Sequence, residues 1–285
     1  MDWAAAAKAA FGVSLAVLVF GSGLGARFSD VPALLRRPGL LVRSLFAVLV
    51  VAPVVAIALV RAFSLKPEVA IALVALSVSP LPPLLPSRGE KAGGEPEYGL
   101  ALVMILAVLA VPVILVSAEV LRVVFGRDYA ATPWAIARLL ALSVLGPLVA
   151  GMTLARFWPS TAPHLEAGLR RVQRWLLPIA MIALVISAAP AMWSLIGDHT
   201  VIAIGAFVVT AFAAGHLLGG SDRRYATVLA LATSCRHPAT ALALASANFP
   251  GTDAHAAVGL YGLVTAIVGG AYTLWSRRRR SLTIG

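Results

Sequence analysis

Two stretches decide how this chain is read. The first is Glu68-Val69-Ala70-Ile71-Ala72-Leu73-Val74-Ala75-Leu76-Ser77-Val78-Ser79-Pro80-Leu81-Pro82-Pro83-Leu84-Leu85-Pro86. The second is Tyr225-Ala226-Thr227-Val228-Leu229-Ala230-Leu231-Ala232-Thr233-Ser234-Cys235-Arg236-His237-Pro238-Ala239-Thr240. Each runs about twelve residues in helical, mostly apolar sequence and then meets a polar, proline-bearing break. A slide of 157 residues sets Glu68 on Tyr225, Ser77 on Ser234, Ser79 on Arg236 and Pro80 on His237. Proline removes a helix hydrogen bond and clashes with the preceding turn. At membrane depth, freed backbone must line a cavity or be buried in protein. Interrupted helices at corresponding places in two halves mark the midplane site of a secondary transporter. The plainer alternative is two unrelated proline kinks.

The surrounding chain has a membrane composition. Of 285 residues, 60% are hydrophobic and only 12% charged, and the mean hydropathy is +0.92. Globular domains carry roughly 25% charged residues, so a disordered chain and most soluble enzymes are excluded. Nine segments reach the ~20 apolar residues that a bilayer core requires: 8–26, 40–61, 67–86, 99–122, 134–155, 175–195, 201–219, 226–248 and 255–275. Between them, 156–174 reads as a surface helix with Glu166 and Arg170 at i,i+4. The Gly- and Pro-bearing 87–98 reads as a flexible loop.

The net charge of +11 follows topology. With the C-terminus inside, the inner loops hold 16 of the 23 basic residues, from Arg27 to the Arg277–Arg280 run, and the outer loops six. This bias places the N-terminus outside and the C-terminus in the cytoplasm of a multi-pass inner (plasma) membrane protein. It also removes the need for a nucleic-acid partner; the lipid bilayer is the implied surroundings. The single cysteine, Cys235, excludes an internal disulfide. No hydrolase elbow, zinc-protease pair, P-loop or dinucleotide fingerprint occurs, so the expectation is that the protein is not an enzyme.

Further markers carry a family resemblance. Phe20-Gly21-Ser22-Gly23-Leu24 is followed by Asp30 and Leu34-Leu35-Arg36-Arg37-Pro38. Pro53 lies in the second segment, ahead of Leu65-Lys66-Pro67-Glu68-Val69-Ala70-Ile71-Ala72, and the eighth runs through Ala241-Leu242-Ala243-Leu244-Ala245 to Phe249. In order and spacing these resemble the bile acid:sodium symporter family. The resemblance implies an all-α polytopic fold of inverted repeats, here in a nine-helix form, with two crossed broken helices. It implies one integral membrane transporter domain over 1–285, with a core of about 40–122 and 201–275 and a panel of about 8–26 and 134–195. Members carry small organic anions, usually with sodium, and bear Glu-x-x-x-Gln-Asn in the second crossing helix. Here Ala232, Arg236 and His237 stand at those positions. The first crossing helix's Pro-Gly-Gly-x-x-Ser-Asn becomes Pro80-Leu81-Pro82-Pro83-Leu84-Leu85-Pro86, and the hydroxyl ligands of the next helix fall near Met104 and Val108. Sodium prefers oxygen ligands, so the expectation is that no sodium, other metal or cofactor binds.

Arg236 is the residue that matters most, because a charge near the bilayer centre costs at least about 2.5–3.5 kcal/mol. It can take a substrate carboxylate, sulfate or phosphate through its planar fork, or cap half-helix carbonyls. His237 can carry protons or simply be a hydrogen-bonded packing residue. Ser77, Ser79, Thr233, Ser234 and Thr240 complete the candidate substrate site, although Ser and Thr also bond their own preceding turn. Pro80, Pro82, Pro83 and Pro238 break the helices. Gly21, Gly23 and Gly25 permit close helix packing. The expected function is secondary transport of a small organic anion by alternating access with doubtful sodium dependence. The alternatives are a proton-coupled or uniport exporter and a non-transporting sensor or scaffold.

Overall fold

The computed structural model describes residues 3–25, 30–82, 84–109, 141–248 and 254–284, with isolated positions between 112 and 138. Every regular element among them is a helix. We number these α1 (Trp3–Gly25), α2 (Asp30–Leu35), α3 (Pro38–Ala62), α4 (Pro67–Val78), α5 (Leu85–Lys91), α6 (Pro96–Val108), α7 (141–157), α8 (Ala162–Trp193), α9 (Thr200–Leu218), α10 (Arg223–Ser234), α11 (Pro238–Asn248) and α12 (His255–Ile284). Among the described residues, three helices are long and apolar enough to cross a bilayer: Pro38–Ala62, Thr200–Leu218 and His255–Arg279. Pro83, Glu119, Arg122, Phe249 and most of the junction between the fourth and fifth expected segments lie outside the described residues.

The two decisive stretches are broken helices. Helix α4 starts at Pro67, whose missing N–H costs nothing in the first turn, and Glu68 sits in that turn, where the helix dipole favours an acid. It stays buried on all sides from Val69 to Val78 and stops after 12 residues at Ser79, which is extended at φ −72°, ψ 151°. Pro80 enforces this, because a residue ahead of proline is pushed out of the helical region. Helix α10 is also 12 residues long. Its N-cap Asp222 accepts from the Arg224 backbone N–H at 2.9 Å. It ends at an extended Cys235, and α11 begins at Pro238 after three non-helical residues.

Two expectations need correction. The stretch 87–98 is not a loop throughout, since Leu85–Lys91 forms helix α5. Packing overrides its glycines: Val228 of α10 presses on Gly89, Gly94 and Gly99 together, within 2.6–3.3 Å of where each Cβ would lie. The expected surface helix and the sixth apolar segment are one continuous rod, α8, of 32 residues. The Glu166–Arg170 ion pair does form on it.

Helix α1 packs against α7 and α8, and α9 against α10. Glycine permits both close crossings. A Cβ on Gly23 would run into the Leu148 carbonyl and come within 3.1 Å of Gly151 Cα; one on Gly215 would come within 2.7 Å of Ala230 Cα. The largest apolar cluster joins α3, α4, α6, α9, α10, α11 and α12, with Leu34 of α2, Leu85 of α5 and Met192 of α8 added, and Phe207, Leu73 and Leu76 are among its most deeply buried side chains. A second cluster, Val19, Leu100, Leu148 and Met152, joins α1 and α7 to α6. Burying each large side chain contributes about 1.5–3 kcal/mol relative to water, though lipid already supplies an apolar setting for the outer faces.

Candidate functional site

The breaks of the two interrupted helices meet. The His237 backbone N–H donates to the Pro80 carbonyl at 3.0 Å, and Arg236 Nη1 donates to the Ser79 carbonyl at 3.3 Å. Both contacts span 157 residues. The residues paired by the sequence slide are therefore the residues that touch.

The other amino group of Arg236, Nη2, donates to the Val48 carbonyl at 2.7 Å. That carbonyl is available for a local reason. Helix α3 widens into a π-turn over Ala47–Val51, with the Ala52 N–H reaching back to the Ala47 carbonyl. The next bond in that register would run from residue 53 to the Val48 carbonyl, and Pro53 has no N–H to give. A single guanidinium thus caps the end of α4 and repairs α3. Arg236 is 3% exposed, forms no ion pair among the described residues, and keeps its Nε–H buried without a partner. Pro53 served in the sequence only as a family marker. Its role was hidden because an orphaned carbonyl in one helix says nothing of which distant donor takes it.

His237 acts as an N-cap. Its Nδ1 lies 3.3 Å from the Thr240 backbone N–H and 3.2 Å from the Thr240 hydroxyl, which makes Nδ1 an acceptor and assigns the ring proton to Nε2. The ring satisfies one of the N–H groups that a helix start leaves open. Tyr261 of α12, absent from the sequence expectations, donates its hydroxyl to the Ser234 carbonyl at the end of α10.

The remaining candidate hydroxyls are buried and turned to their own helices. Ser77 donates to Val74 at 2.7 Å, Ser79 to Leu76 at 2.8 Å, Thr233 to Leu229 at 2.8 Å and Ser234 to Ala230 at 2.9 Å. Pro82 is buried beside the break. A small apolar cleft opens next to the crossing, lined by Val48, Leu49, Val78, Ser79, Pro80, Leu106 and Val113. Arg236 stands directly behind two of its walls, because it holds the carbonyls of Val48 and Ser79.

Sodium fits this arrangement poorly. Ala232 brings no ligand oxygen and is fully buried. Met104 packs on the second apolar cluster, and Val108 is 71% exposed. The Val48, Ser79, Pro80 and Ser234 carbonyls already accept protein donors. A fixed positive charge among them opposes a second cation.

No curated protein matches the chain. The model of the Sodium Bile acid symporter family matches residues 13–199. That stretch runs from α1 through the first broken helix and the whole of α8, while α10 and α11 lie beyond it. The chain belongs to the Sodium Bile acid symporter family, a family of membrane transporters, and is a multi-pass membrane protein of that kind.

Proposed function

We propose that this protein is a secondary transporter that carries a small organic anion by alternating access without sodium. The observation that carries the reading is Arg236, buried at the crossing with its two amino groups on the carbonyls of Ser79 and Val48. Relatives that use sodium place ligand oxygens at this junction; here a tethered cation ties the half-helices instead. The anion enters the cleft over Ser79 and Pro80, where the charge behind the wall is felt strongly in a low-dielectric setting. The unpartnered Nε–H is the donor left for direct contact when the crossing opens.

In this reading α3, α4, α6 and α9–α12 form the core and α1, α7 and α8 the panel. The packing of α1 on α7 and α8 supports that division. Paired contacts between residues 157 apart support an inverted repeat, since equivalent residues meet at a two-fold axis. The N-terminus lies outside an inner membrane and the C-terminus in the cytoplasm.

The test is uptake into proteoliposomes of purified protein, in sodium buffer and in choline buffer. Rates agreeing within about twofold are expected, from the absence of any differential sodium affinity. A steep, saturable sodium requirement would overturn the reading. A membrane scaffold would show no saturable uptake in either buffer.

A further inference from the structure

A second guanidinium reaches the crossing. Helix α5 is pressed onto α10 by the three-glycine socket around Val228. Seven residues further along α10, about 10 Å at helical rise, lies Cys235. Arg88 of α5 extends to it, with Nη1 3.6 Å from Cys235 Sγ. Sulfur is a weak acceptor, and this is the one polar contact of the Arg88 side chain among the described residues. Arg88 is half-buried, so its charge is only partly hydrated. Among the described residues no carboxylate pairs with it; Glu90 pairs with Arg170 at 3.8 Å and Glu95 with Arg224 at 3.2 Å.

A guanidinium that is half-buried, has no carboxylate partner and keeps most of its five donors free of protein partners among the described residues is suited to an incoming oxyanion. Arg236 is already bound to backbone, so Arg88 is the more available of the two. We propose that Arg88 is a specificity-determining residue that takes the anionic head of the substrate, a carboxylate or a sulfate, on the α5 side of the crossing and lets go of Cys235 as it does. The proposal rests on the transport reading above. Its second link is the direction of reach: a flexible arginine anchored beside Cys235 can follow the head group outward from the junction, while Arg236 stays fixed.

The experiment is proteoliposome uptake of radiolabelled cholate, estrone sulfate and succinate by the full-length protein and by Arg88→Gln, Arg88→Lys and Cys235→Ala. Cholate and succinate present carboxylates and estrone sulfate a sulfate, so the preferred probe distinguishes the head groups. For the anion that the wild type carries, Arg88→Gln should raise KM at least tenfold with the melting temperature kept. Arg88→Lys should raise it about threefold, because an ammonium lacks the planar fork. Cys235→Ala should leave KM within about twofold. An unchanged KM in Arg88→Gln, with wild-type uptake intact, overturns the proposal and leaves the transport reading standing. If the wild type carries none of the three anions, both fall. If the Gln variant does not fold, the Lys variant decides, and an unchanged KM there overturns the assignment.

Discussion

The backbone N–H of His237 donates to the carbonyl of Pro80 at 3.0 Å, joining the two helix breaks main chain to main chain. Side-chain substitution cannot remove that bond directly, but it can alter what surrounds it. His237 caps α11 through Nδ1. Losing an N-cap typically costs about 1 kcal/mol, so His237→Ala should lower the melting temperature by a few degrees. His237→Asn, whose side-chain oxygen can accept the same N–H, should recover most of the loss. Hydrogen exchange at the Thr240 amide, faster in the Ala variant alone, checks the mechanism.

Arg236 and Pro53 should be energetically coupled. Arg236→Leu leaves the Val48 and Ser79 carbonyls buried without their donor, at about 1–3 kcal/mol for each unsatisfied group. Adding Pro53→Ala returns an N–H to α3 and gives the Val48 carbonyl a partner. A double-mutant cycle on thermal unfolding should show coupling on the order of 1 kcal/mol. Strict additivity would mean that the Val48 bond does not hold α3 to the crossing.

Close packing of α5 on α10 gives a third test. A Cβ at position 94 would lie 2.6 Å from Val228 Cγ2 and 3.1 Å from the Arg224 carbonyl. Gly94→Ala should destabilise by about 1–3 kcal/mol through overpacking. Val228→Ala in the same chain should relieve part of it, measured by melting temperature in detergent. The double variant remains below wild type because the backbone contact persists.

Asp222 sets a pH dependence. Hydrogen bonds from the Arg224 side chain and backbone hold its carboxyl below the usual aspartate range. A depressed pKa stabilises the folded state above the unfolded value near pH 3.9, and the gain is lost as pH falls through the lower folded value. The melting-temperature gap between wild type and Asp222→Ala should therefore be constant at neutral pH and shrink below about pH 4. A gap that widens in acid would contradict the N-cap assignment.

Much of this architecture was legible in the amino acids because its causes are local. The residue before Pro80 must leave the helix, and an arginine at position 236 stands out against an apolar background. The π-turn around Val48 was not legible, since Pro53 announces a missing donor but not its replacement. Helix α5 is hidden for a related reason: Gly89 and Gly94 look like loop residues until Val228 fills the space that they leave. The continuity of α8 is not legible because a change of polarity at Arg174–Trp175, with Pro178 just beyond it, resembles an end, yet the helix runs on through the proline. Among the candidate site residues, Ser77, Ser79, Thr233 and Ser234 lie in the last turns of the two broken helices, and their hydroxyls bond their own preceding turns.

That undivided α8 has a consequence for how deep the molecule sits. Thirty-two residues at helical rise give a rod of about 48 Å, longer than the ~30 Å of a hydrocarbon layer. Its outward side carries Arg170, Arg171 and Arg174 up to one point, then Trp175, Ile179, Ile182 and Ile186. The change from charged to apolar surface thus falls on the rod itself, at the tryptophan, a residue that favours the membrane interface. Pro178, three residues past the tryptophan, leaves one backbone hydrogen bond of the rod unmade, so any bend between the charged end and the apolar end falls at that turn.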